Sequence, residues 1–163
     1  MIEIVILYTL NKYDATIYRI SKIMDEYFFA YLKSSSGTIN PALKRLEKLG
    51  CVEYKEKMTD GGMLSKTYSI TQIGKTRLKN LLLSIKEDNP YHVLNTVKLA
   101  LYCSEILNVN ELAEFKGNIL NILELYKIKF QKGLDNKYIN LNNLQKQTVN
   151  ITLSDIESLI KLL

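Results

Sequence analysis

The chain has 163 residues, of which 47% are hydrophobic and 24% charged. That is enough to bury a core in one domain or two small ones, and it excludes a disordered or fibrous chain. The formal net charge of +5 is uneven: residues 1–86 carry fourteen Lys and Arg against eight Asp and Glu, a net of +6, which suits a polyanionic partner.

The opening "MIEIVILYTLNKYD" lacks a basic n-region and a small-residue cleavage site, and its apolar run is too short to span a bilayer. We therefore expect a soluble cytoplasmic protein with no membrane partner. Ile2 to Leu10 reads as a short buried helix, although periodicity alone also permits a strand. Asp14 can cap a second helix whose stripe is Ile17, Ile20, Met24 and Tyr27.

The stretch "SSSGTINPALKRLEKLG" (Ser34 to Gly50) predicts a third helix with Ile39, Leu43, Leu46 and Leu49 on one face. Pro41 has no N–H and belongs near a helix start, which puts that start at Ser36 to Thr38, and Gly50 supplies the left-handed cap. The period then changes. "CVEYKEK" and "KTYSIT" alternate as strands around the turn signal Asp60-Gly61-Gly62. Thr71 can cap a further helix with Ile73, Leu78, Leu81, Leu82 and Ile85 inward.

"KEDNPYH" (Lys86 to His92) is the expected boundary, dividing the chain into 1–88 and 89–163. Beyond it lie three amphipathic stretches: 93–107, 112–130, and 152–163 with Ser154 as cap. The Asn-rich segment Asp135 to Asn150 has a composition that favours mobility.

Helix, helix, helix, strand, turn, strand, helix is the order of a winged helix-turn-helix. The expected fold class is mainly α, a winged helix-turn-helix domain with a two-stranded wing followed by a C-terminal helical domain. In such a fold the third helix enters the major groove of double-stranded DNA. The hydroxyls of Ser34, Ser35 and Ser36 suit phosphate oxygens at the positive helix end. Thr38, Asn40 and Lys44 should project toward bases, with Arg45 at the margin. Lys57 and Lys66 would flank the hairpin turn and lie along the neighbouring backbone or minor groove. Each feature alone has a plainer reading as a cap, a solvated face or a hairpin. Only their coincidence in one topology carries the functional reading.

Catalytic machinery is poorly represented. His92, the single histidine, has no nucleophile motif beside it, and no phosphate loop, dinucleotide fingerprint or His/Cys metal spacing occurs. We expect no enzyme, no metal and no cofactor. Cys51 and Cys103 read as reduced thiols packed as small apolar groups.

"SSSGTINPALKRLEKLGCVEY" and "GGMLSKTYSITQIGKTRLK" together resemble the PadR family of bacterial transcriptional regulators. The family pattern runs close to Ser-x-Gly-Thr-Leu-Tyr-Pro-Ala-Leu-x-Arg-Leu-Glu, with a later Gly-Gly-x-x-x-Lys-x-Tyr-x-Leu-Thr-x-x-Gly. The resemblance covers about residues 1–85 and implies a homodimeric repressor on a palindromic operator. It carries DNA contacts to Ser36, Thr38, Lys44 and Lys66. It also admits a small aromatic or phenolic effector, which the sequence does not identify. The chain departs from the pattern in three places: Asn40 stands for the usual tyrosine, Met63-Leu64-Ser65 lacks the wing arginine, and Asp14 to Ile20 replaces His-Gly-Tyr-Glu-Ile. These departures keep a second reading open, a winged module for protein contacts or ligand sensing.

Reading two successive major grooves requires a dimer with rigid spacing of about 34 Å. The C-terminal stripes offer Val97, Leu101, Phe115, Ile119, Ile122, Tyr126, Phe130, Ile156, Leu159 and Leu163 for an interface between protomers.

Overall fold

A computed structural model describes residues 1–33, 35–58, 62, 64–86, 92–136, 138 and 140–163, with Ser36 described by its backbone only. The elements are α1 (Ile2–Lys12), β1 (Ala15–Thr16), α2 (Ile17–Tyr27), α3 (Ser36–Lys48), β2 (Val52–Met58), β3 (Leu64–Ile70) and α4 (Gln72–Leu83). They continue with α5 (Val93–Cys103), a 3-10 turn (Ser104–Ile106), α6 (Val109–Leu134) and α7 (Asn143–Lys161). By contact the chain groups into two compact units, Met1–Ser84 with Asn95–Leu107, and Ile85–Leu94 with Asn108–Leu163.

In the first unit α1 is the hub. Every residue from Ile4 to Leu10 is buried, and the helix packs on α2, α3, α4 and β3. A helix apolar on all sides is one that is surrounded, which resolves the helix-or-strand ambiguity. Each such Leu or Ile contributes roughly 1.5–3 kcal/mol by burial.

The sheet is antiparallel in the order β1-β3-β2. Its third strand was not expected. Ala15 and Thr16 pair with Tyr68 and Thr67, so the chain is still extended at the position read as a helix cap. The cap is Thr16, whose Oγ1 accepts from the Arg19 N–H at 3.3 Å, and Asp14 plays no such part. Helix α2 consequently buries Ile20, Ile23 and Met24, with Phe28 beyond its end, and leaves Tyr27 exposed.

Helix α3 starts at Ser36, the early end of the expected range, so Pro41 is its sixth residue and lies inside the helix beyond the first turn; it stops where expected. Gly50 has φ +67°, its N–H donates to Glu47 O at 2.9 Å, and the Cys51 N–H donates to Leu46 O at 2.8 Å. Leu49 belongs to this turn and is exposed, not part of the buried stripe. Helix α4 is capped by Thr71 as expected, its Oγ1 accepting from Gly74 N at 3.1 Å. The inward position of its first turn is Gly74, so Ile73 faces outward while Leu78 and Leu82 are buried.

The expected boundary falls within residues 87–91, outside the described residues. Most of α5 groups with the first unit, because Tyr102 packs edge-on against Tyr8 and Phe28 at centroid distances of 6.0 and 5.2 Å. The Tyr8 hydroxyl and Lys12 both engage Glu105.

In the second unit α6 and α7 pack against each other. Asn108 and Glu111 form a reciprocal capping box for α6, and Asn142 and Gln145 form one for α7. Helix α7 thus starts inside the Asn-rich segment, and Ser154 lies within the helix and is not its cap. Lys127 bridges to Glu157 at 3.2 Å, and Lys116 Nζ donates to Leu163 O at 2.8 Å.

Candidate nucleic-acid interface

Helices α2 and α3 pack together in the helix-turn-helix arrangement. Ile39, Ala42, Leu43 and Leu46 are the buried side of α3. At 3.6 residues per turn the opposite side carries Gly37, Pro41, Lys44 and Lys48, flanked by Asn40 and Arg45, all exposed. Among the described residues the side chains of Asn40 and Lys44 have no hydrogen-bond or ion-pair partner. They are the groups most available to base edges and phosphates.

Other expected contacts are engaged within the protein. Thr38 Oγ1 accepts from Ser35 N at 3.2 Å, donates to Ser35 O at 2.9 Å, and lies 3.1 Å from Ser35 Oγ. Ser35 and Thr38 therefore close the helix start on each other, a pairing legible in the Ser-x-x-Thr spacing. Ser34, Gly61 and Met63 lie outside the described residues, as does the Ser36 side chain. Arg45 turns toward α1, its Nε 3.3 Å from Glu3 Oε1, while Arg77 Nη2 meets Glu3 Oε2 at 2.8 Å. Burial pushes the Glu3 carboxyl up, but Arg77 and Arg45 outweigh it and hold the group below its ordinary value.

The wing separates its two expected lysines. The register pairs Val52 with Ile70, Tyr54 with Tyr68, Glu56 with Lys66 and Met58 with Leu64 on one face. Lys57 lies on the other face, with Lys55 as a companion that sequence reasoning missed although their i, i+2 spacing implies it. Lys66 Nζ stacks 3.7 Å from the Tyr54 ring centroid and 3.5 Å from Glu56 Oε1.

A cavity of about 170 Å³ in the same unit is walled by Tyr8, Tyr27, Phe28 and Tyr102, with Thr9 and Lys12 also lining it. Thr9 Oγ1 is buried with no hydrogen-bond partner among the described residues. Cys51 and Cys103 are free and buried, and burial pushes the Cys103 thiol up to about 12, so it is an inert packing group.

Of the residues expected between protomers, Val97, Phe115, Ile119, Ile122, Tyr126, Ile156 and Leu159 are buried within the single chain. Leu101, Phe130 and Leu163 are half-buried. The exposed apolar line of α7 is instead Leu144, Ile151 and Leu162, at 73, 71 and 70% exposure. Their spacings of seven and eleven residues place them along one face. No described helix is long and apolar enough to cross a membrane.

Residues 6–80 match the family described as transcriptional regulator PadR-like. A PadR family transcription regulator from Clostridium difficile R20291 is 30% identical, covering 49% of this chain and 81% of its own, with a TM-score of 0.43. A protein of Streptococcus mutans UA159 is 24% identical over 98% of this chain and 94% of its own, TM-score 0.50. Bacillus subtilis PadR in complex with operator DNA is 18% identical over 98% of this chain and 93% of its own, TM-score 0.50. At those identities the last two speak for the fold alone. The Bacillus subtilis protein has also been solved with p-coumaric acid. No curated protein gives a significant match.

Proposed function

Since the chain belongs to the PadR-like family of transcriptional regulators, which are not enzymes, we propose that it is a sequence-specific repressor. It binds a two-fold symmetric operator as a homodimer in the cytoplasm, and a small aromatic molecule releases it. The observation that carries this reading is the outward side of α3, where Asn40, Lys44 and Lys48 stand exposed on a helix fixed by its buried side. Asn suits adenine and Lys suits guanine or phosphate, at roughly 1–3 kcal/mol of discrimination for a good bidentate pair. The exposed line on α7 supports pairing of two protomers, since seven of the ten residues expected at that interface are buried within each one. The aromatic cavity supports an effector that is planar and aromatic, and p-coumaric acid is the first probe.

The test selects fragments from a low-GC bacterial genomic library with purified protein and titrates the winner against salt. We expect a palindromic site bound far above random DNA, with log affinity falling linearly against log salt. Lys44→Ala should weaken binding and reduce the slope by about 2 for a dimer, one phosphate contact per protomer. Weak binding that is equal on every fragment would refute it. That result would instead favour the protein-contact reading, which the inward engagement of Thr38, Arg45 and Lys66 favours.

A further inference from the structure

Most of the exposed residues of β2 and β3 are polar or charged, yet the described end of the hairpin is apolar. Met58 and Leu64 are direct cross-strand partners, on one face, and are 62% and 61% exposed. They are the last pair among the described residues of the hairpin. From Val52 the hairpin extends six residues, about 20 Å at 3.4 Å per residue, close to the ~17 Å between a major groove and the adjacent minor groove. The pair shares its sheet face with Val52 and Tyr68, which are buried against the helical body. It therefore prolongs the side of the sheet that packs on the helices, α3 among them, and not its outer side. Lys66 stands one pair behind it on the same face, and Lys57 beside it on the other.

We propose that Met58 and Leu64 form an apolar wedge that enters the minor groove beside the α3 site and partly unstacks a base step. The inference rests on the DNA-binding reading and deepens it. Lys57 complements the phosphates on one rim, whereas Lys66 is held by Tyr54 and Glu56; the wedge itself gains its affinity from apolar contact and DNA deformation. Two side chains are far too small a patch to hold a second copy of the chain. The wing therefore reads flexibility. Pyrimidine–purine steps such as TA unstack readily and A-tracts resist, so two duplexes of equal composition and charge should bind differently.

The full-length protein is titrated by anisotropy onto a 30-base-pair alternating AT duplex and onto an A-tract duplex of the same length, each across a salt series. Wild type should prefer the alternating duplex by roughly tenfold. Met58→Ser with Leu64→Ser should abolish that preference with an unchanged salt slope, and 2-aminopurine placed in a TA step should lose its fluorescence rise. Both positions are exposed, and an unaltered circular dichroism melt shows the variant folded. Equal wild-type affinity for the two duplexes, or a preference that survives the double substitution, would overturn the wedge while salt-dependent binding leaves the α3 reading intact. Absence of salt-dependent binding to either duplex and to every fragment of the genomic library would overturn both.

Discussion

Gly74 is the position where one methyl group should cost the most. A Cβ there would sit 2.1 Å from Cys51 O and 2.7 Å from Ile70 Cγ1, so the first turn of α4 would have to retreat by about 1 Å to reach ordinary contact. Neither neighbour yields easily. Cys51 O accepts the Thr71 N–H at 3.0 Å, and Thr71 Oγ1 donates to Gly50 O at 2.6 Å while accepting from Gly74 N at 3.1 Å. Retreat gives up the cap, about 1 kcal/mol, and one or two further hydrogen bonds at about 1 kcal/mol each. Displacing the buried Leu78 and Leu82 adds roughly 1–3 kcal/mol. Alanine's better helix propensity returns at most about 1 kcal/mol. Gly74→Ala should therefore destabilise by about 3 kcal/mol, read as a lowered urea midpoint with unchanged slope. Gly117→Ala supplies the control: inside α6 nothing lies within 4 Å of its Cβ, so the same change should stabilise by about 0.5–1 kcal/mol. A Gly74→Ala protein within 0.5 kcal/mol of wild type, by the same ~1 kcal/mol scale of a lost cap, would refute the reasoning.

The Glu3 bridge gives a signed pH dependence. Its folded value lies below the ordinary 4.5, so the unfolded chain takes up the proton first. The bridge's contribution is fully present above 4.5 and is lost as pH falls through the folded value. Glu3→Gln should be less stable than wild type at pH 7, and the difference should shrink in urea titrations run toward pH 3. Arg45→Ala should resemble it in stability while lowering DNA affinity less than Lys44→Ala does, by fluorescence anisotropy. Asn142→Ala removes the acceptor for Gln145 N, 2.9 Å away; it should cost about 1 kcal/mol and raise hydrogen exchange in the first turns of α7.

The sequence by itself determined whatever local geometry dictates. Gly50 closes α3, Thr71 starts α4, and Gly62 with φ +73° lies between two strands, because each rests on dihedral or donor restrictions that no neighbour can override. The outward placement of Asn40 and Lys44 was legible for the same reason, since a helix with one apolar stripe has only one other side. Tertiary structure decided what long-range partners compete for. Ala15 and Thr16 became a strand because β3 offered an open edge, which moved the cap from Asp14 to Thr16. Arg45 went to Glu3, forty-two positions away, and Lys66 to Tyr54, so neither charge stayed where its spacing alone would leave it. The stripes of α6 and α7 were correctly read as apolar. Only packing could say that they cover one another and leave Leu144, Ile151 and Leu162 facing out, because periodicity identifies a face to be buried and carries no information about which surface buries it.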